Sequence, residues 1–157
     1  ANRLLYNRCY MKQILNFIGQ FFKSRRIGYY FTLPAFVFAI LGLVFYQKGY
    51  NLQFGVISEE AVNVYIAGIV VCAVALLADF KEVKFISLCL LLYAFLVSLT
   101  SQANYITNVF VSIDGNSFTA EFLCGAIFGL FGWLFELLAL IFTRETIFNV
   151  GIPKKAK

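Results

Sequence analysis

The chain has 157 residues, of which 61% are hydrophobic and 13% charged, with a mean hydropathy of +0.81 and a net charge of +5. A soluble domain carries about 25% charged residues and could not cover itself with so few, and disorder is excluded because its signature is low hydrophobicity. The absence of histidine removes imidazole acid–base chemistry, His-ligated haem and His-containing zinc sites.

Residues 1–26 form a basic tail. Within it Ile14, Leu15, Phe17, Ile18, Phe21 and Phe22 recur at helical spacing against Lys12, Gln13, Asn16, Gln20 and Lys23. That pattern predicts a short amphipathic helix over about 11–23, lying at the membrane interface. Arg26 and Lys48 then bracket an apolar run that predicts a first span over about 27–47. Pro34 lies inside it, and transmembrane bundles tolerate such prolines. Ser58 followed by Glu59 and Glu60 predicts an N-cap with acids in the first helical turn, opening a second span over about 61–78.

Lys81 and Lys84 precede the third run, which stays uncharged through residue 113. A helix over that stretch would be about 43 Å long, against about 30 Å of hydrocarbon. The expectation is a span over about 85–105 with an extension to 113. Asp114-Gly115-Asn116-Ser117 is a turn signal in which Asn116 or Ser117 can cap a fourth span, about 118–143. Residues 144–157 are a second basic tail. None of the runs reads as a cleavable signal peptide. The expected fold is an all-α four-transmembrane-helix bundle, residues 27–143, with an N-terminal amphipathic interfacial helix.

The cations set an orientation. Twelve of the 13 Lys and Arg residues fall before span one, between spans two and three, or after span four, leaving Lys48 alone on the other side. The positive-inside rule puts both termini in the cytoplasm, most simply of a bacterial cell membrane. The excess charge is thus used for topology, and no nucleic-acid partner is expected. Cys9, Cys72, Cys89 and Cys124 include no C-x-x-C pair, and no phosphate-loop, metalloprotease or nucleophile-elbow motif occurs. No catalytic centre, metal, haem or other cofactor is expected, and the lipid bilayer is the expected partner. An enzyme acting on lipid would have to draw on Asp79, Glu82 and Glu145, whose spacing argues for nothing.

Three features stand out as candidates for function. Glu136 is the intramembrane acid, eight residues before Arg144 and so about 12 Å inside the boundary of span four. A carboxylate there costs about 2.5–3.5 kcal/mol, so it should face the bundle, take a proton or find a donor; as a structural acid it would bond to a neighbouring span or reach back to Arg144, Lys81 or Lys84. It shares a helix face with Gly129, Gly132 and Trp133. The second feature is a polar stripe of Ser98, Ser101, Gln102, Tyr105, Asn108 and Ser112, which either projects beyond the membrane or lines a vestibule. The third is a set of small residues suited to close helix packing: Gly125, Gly129 and Gly132 in span four, Ala35, Ala39 and Gly42 in span one, Gly68, Cys72 and Ala75 in span two. These seams serve either to close one bundle or to join it to a second copy or another membrane protein.

The stretch from Tyr105 to Phe118, YITNVFVSIDGNSF, resembles small four-span bacterial membrane proteins without assigned activity, a likeness that implies no catalytic or binding residues. Its outer loops hold no cysteine, unlike those of claudins and tetraspanins. Its acid lies in span four, whereas small multidrug carriers have their essential Glu in span one. Two functions compete: a non-catalytic accessory, assembly or interaction subunit of a membrane complex, and a small proton- or cation-responsive transporter or channel using Glu136.

Overall fold

The computed structural model describes residues 27–48, 56–111 and 117–143, and all of its elements are helices. They are α1 (Ile27–Lys48), α2 (Glu59–Ala78), α3 (Lys81–Ser101), α4 (Ala103–Val111) and α5 (Ala120–Phe142). Four of them, α1, α2, α3 and α5, are long and apolar enough to cross a membrane. The amphipathic segment expected over 11–23, both basic tails and Ser112 lie outside the described residues.

Local chemistry sets the helix ends. Ser58 caps α2 as its sequence predicts, its hydroxyl accepting the Ala61 amide at 3.3 Å. At the other end Asp79 takes a left-handed conformation, φ 44° and ψ 34°, and gives its amide back to Ala75 at 2.9 Å. Aspartate tolerates that region better than most residues, so Asp79 and Phe80 alone suffice to reverse the chain into α3. The cap of α5 is Thr119, two residues beyond Ser117 and three beyond Asn116, the caps that the sequence suggests. Its hydroxyl accepts the Phe122 amide at 3.4 Å, while the Ser117 carbonyl accepts the Tyr105 hydroxyl.

The over-long third run is divided. Gln102, at φ −99° and ψ 7°, ends α3 by turning its amide toward Leu99 and Thr100, and α4 starts one residue later. Two tethers hold the break: Gln102 Nε2 donates to the Val56 carbonyl at 3.1 Å, and Ser101 Oγ meets Tyr46 Oη at 2.7 Å. Excess helix length is thereby relieved by a bend at a side-chain anchor.

α1 and α5 pack antiparallel along a seam of small residues. A methyl group on Gly42 would stand 3.1 Å from the Gly129 amide nitrogen, and one on Gly132 would stand 3.3 Å from that of Ala39. Backbones approach this closely only where side chains are minimal, the usual device when lipid supplies no hydrophobic drive between helices. Beside the seam runs a ladder of rings at seven-residue spacing, Phe31, Phe38 and Phe45 against Phe128, Phe135 and Phe142. Centroids along it are 5.3–6.4 Å apart. α2 and α3 form the second hairpin, with Gly68 under Leu91. Phe95 of α3 covers Gly129, and Cys72 of α2 reaches the Thr32 carbonyl, which closes the four helices into one bundle.

The radial distribution of side chains is inverted relative to a soluble protein. Fully buried positions include Thr32, Lys84, Ser87, Glu136, Cys72 and several alanines, whereas Val70, Phe85, Leu96, Ile127 and Ile141 are exposed. A water-soluble bundle buries its large aliphatic residues and exposes its charges. Helices apolar on their outer faces and small or polar within are suited to lipid.

Candidate functional site

Each of the four long helices contributes to a polar cluster in the half of the bundle nearest the Asp79 turn. α5 supplies Glu136 and, at its C-cap, Thr143. α3 supplies Lys84 and Ser87, three residues apart and hence on one face. α2 supplies Cys72, α1 supplies Thr32, and the α2–α3 turn supplies Asp79.

Two substructures can be distinguished. Lys84, 0% exposed, forms an ion pair with Asp79 and donates to Thr143 Oγ1 at 2.8 Å. Thr143 passes its own proton to the Ala139 carbonyl at 2.7 Å, so its oxygen is free to accept from the lysine. Removing a lysine from water would cost several kcal/mol if it were unpaired; here a carboxylate and a hydroxyl stand against it. Thr143 also packs against Gly28, where any side chain would strike it and the Ala139 carbonyl. The start of α1, the end of α5 and the start of α3 are thus bound at one point.

Glu136, also 0% exposed, forms the second substructure. Its Oε2 accepts from the Cys72 thiol at 3.9 Å, a long contact with a weak donor. The same thiol lies 3.9 Å from the Thr32 carbonyl, and Thr32 closes its hydroxyl onto Gly28 at 3.2 Å. Glu136 Oε1 and Ser87 Oγ are buried without a hydrogen-bond partner among the described residues. The indole nitrogen of Trp133 is in the same condition one turn along α5. Such atoms mark a place where a proton, a water or a small ligand can be held.

The polar stripe lies at the opposite end and is divided by the helix break. Ser98 donates to the Phe95 carbonyl at 2.7 Å and Ser101 to the Ser98 carbonyl at 2.8 Å. Tyr105, beyond the break, donates to the Ser117 carbonyl at 3.1 Å and accepts the Thr119 amide at 2.9 Å, fastening α4 to the start of α5. Asn108 is half-buried on α4. A cavity between α1, α2, α3 and α5 reaches Ser98 and Gln102 of this stripe.

Glu136 does not line that cavity. By helical register, the layer between Cys72, Ser87 and Glu136 on one side and Ser98 and Gly125 on the other is the apolar cluster of Ala39, Tyr65, Leu91 and Ala94. Trp133 and Leu43 pack against it. Of the sequence candidates, then, Glu136 and Cys72 meet. Glu136 and the serine stripe do not.

Sequence reasoning offered Lys84 only as one of three cations, with Lys81 and Arg144, that Glu136 could reach, and it missed Ser87, Asp79, Thr32 and Thr143 as members of the cluster. Lys84 reads as an orientation mark, yet a signal was present: Lys84, Ser87, Leu91, Ala94 and Ser98 recur at three and four, while Phe85 and Ile86 fall on the outer face. Among the described residues no three His, Cys, Asp or Glu side chains converge as metal ligands would. No protein-family model, curated protein or solved structure matches the chain.

Proposed function

We propose that the chain is an integral protein of a bacterial cell membrane that acts without catalysis, as an accessory or assembly subunit of a membrane complex. Both terminal segments and the Asp79 turn face the cytoplasm in this reading, because twelve of 13 cations lie there. The observation that carries it is the packed layer of Tyr65, Leu91 and Ala94, with Trp133 against it, separating the two polar regions. A bundle whose middle layer is filled and whose two polar regions are kept apart is suited to presenting a fixed outer surface. That surface is large and apolar on every long helix, which suits lipid and the flanks of other membrane proteins.

The test uses full-length protein in its native membranes. A photoreactive residue placed at exposed Val70 or Leu130 should yield a crosslinked species containing a second membrane protein or copy. Mild detergent extraction should give an assembly larger than the monomer. A strictly monomeric protein with no crosslinked product from either position overturns the proposal.

The unpartnered Glu136 Oε1 and Ser87 Oγ favour a second reading, a proton- or cation-responsive transporter. In liposomes it requires a pH-dependent flux that Glu136→Gln abolishes. No flux, or flux indifferent to that substitution, rejects it.

A further inference from the structure

The cavity at the Ser58 end belongs to neither the Glu136 cluster nor the proposed subunit surface, and its chemistry is one-sided. Tyr46, Tyr65, Ser98, Gln102, Glu121 and Phe122 are prominent in its lining. About 20 Å³ of it is open to the centre of a water-sized sphere, enough for one or two small polar groups.

Three of the hydroxyl protons around it can be followed one by one. Ser98 gives its proton to Phe95, and Ser101 gives its own to Ser98. The 2.7 Å contact between Tyr46 and Ser101 must therefore use the tyrosine proton, while the Tyr46 oxygen already accepts the Ser58 amide at 3.0 Å. Gln102 is oriented by its own bond: Nε2 donates to the Val56 carbonyl, an atom that can only accept, so Oε1 is fixed as the other end of the amide. That Oε1 is buried and has no partner among the described residues.

Three hydroxyl protons are committed elsewhere, a buried amide oxygen lacks a donor, and the Glu121 carboxylate stands at the mouth. The aromatic residues Phe45, Tyr46, Tyr65 and Phe122 complete the lining. Such a site satisfies a guest that brings several donors and a positive charge. Lys48, the cation that ends α1 nearby, is exposed and does not line the cavity.

We propose that this cavity binds an ammonium group, with Gln102 Oε1 and Glu121 accepting its N–H bonds and the aromatic rings facing its charge. Two sources present that group, a free ammonium or alkylammonium ion and the head of an aminophospholipid. A potassium ion matches the charge and approximate size but has no N–H donors.

The test follows thermal unfolding of the full chain in detergent at constant ionic strength, with ammonium, methylammonium, potassium or tetramethylammonium chloride. A saturable rise in Tm is expected with the first two and not with the last two. Glu121 is exposed, so Glu121→Gln should fold, and it should weaken methylammonium by about two- to fivefold, the worth of an exposed charge pair. Equal shifts with potassium, a response unchanged by Glu121→Gln, or no amine response at all overturns the proposal.

Nanodiscs separate the two sources. If phosphatidylethanolamine, compared with phosphatidylcholine, suppresses the methylammonium response, the lipid head is the occupant. An undiminished response assigns the site to the free ion.

Discussion

At the Asp79 end of the bundle, Lys84 is held by Asp79, five residues before it, and by Thr143 at the far end of α5, and every group in that set is a side chain. At the Ser58 end, Tyr46, Ser98, Ser101 and Tyr105 spend most of their hydrogen bonds on backbone atoms of caps and helix ends. The first arrangement buries formal charges that depend on one another. The second buries neutral groups whose partners are fixed by the fold itself. A charged group that loses its partner is left stranded, whereas a neutral hydroxyl that is removed leaves behind a backbone group that water can often reach. The two ends should therefore respond to mutation on different scales, and the glycine seam between them should fall in the middle.

The largest effect should come from Lys84→Met, which leaves Asp79 without its partner in a buried place. Loss of one member of a buried ion pair costs about 3–5 kcal/mol, measurable as reversible unfolding in mixed micelles. Adding Asp79→Asn should recover part of that loss, because the stranded charge is removed as well. A double variant as unstable as the sum of the singles would show that the two side chains act independently. The supposed contrast between the ends would then be lost.

Next in size is the seam. An added methyl on Gly42 meets the Gly129 backbone at 3.1 Å, and backbone cannot swing aside as a side chain does. Gly42→Ala should destabilise by about 1–3 kcal/mol. At Gly125 the nearest atom would be 3.4 Å away, an ordinary contact, so Gly125→Ala should stay within about 0.5 kcal/mol. The pair of measurements locates where α1 and α5 are closest. Equal costs at both glycines would mean that the helices diverge less toward Lys48 than the structure has them.

How much of this could be read beforehand depends on the range of the interaction. Span positions and the Ser58 cap follow from charge spacing and one local hydrogen bond, both visible in the sequence. Glu136 stands out because an acid within an apolar run has no ordinary reason to be there. Lys84 stands out only as one of three cations within reach of Glu136, since a lysine near a helix end reads as a boundary marker until the two-residue turn at Asp79 and the close approach of α5 enclose it. The break at Gln102 is illegible for a related reason: its cause is a carbonyl at Val56, 46 residues away. The phenylalanine ladder could have been found, because both helices repeat Phe every seventh residue.

At the Ser58 end the expected cost is smaller. Tyr46→Phe keeps the ring and removes the hydroxyl that joins the Ser58 amide to Ser101. Unfolding should be easier by about 0.5–1.5 kcal/mol, the net value of an ordinary hydrogen bond. A loss near 3 kcal/mol would place this tyrosine on the same footing as Lys84 and erase the distinction between the two ends.

Glu136→Gln should change stability least, although the residue is the most conspicuous in the sequence. Glutamine fills the same volume, keeps an oxygen for the Cys72 thiol and replaces the unpartnered Oε1 with an amide. The Ser87 hydroxyl, which faces the Glu136 side chain, can accept from that amide. No hydrogen-bonded partner of Glu136 carries a charge, and Lys84, whose charge it feels, keeps Asp79 and Thr143 after the substitution, in contrast to Lys84→Met. The expected change lies within about 0.5 kcal/mol of the parent, or is slightly stabilising because a buried acid is exchanged for a neutral amide. A loss above about 2 kcal/mol would mean that Glu136 shares the Lys84 charge with Asp79. The two polar substructures near the Asp79 turn would then be one ionic network. Lys84 would be the residue that couples them, and the Lys84→Met variant should then unfold no more easily when Glu136→Gln is added.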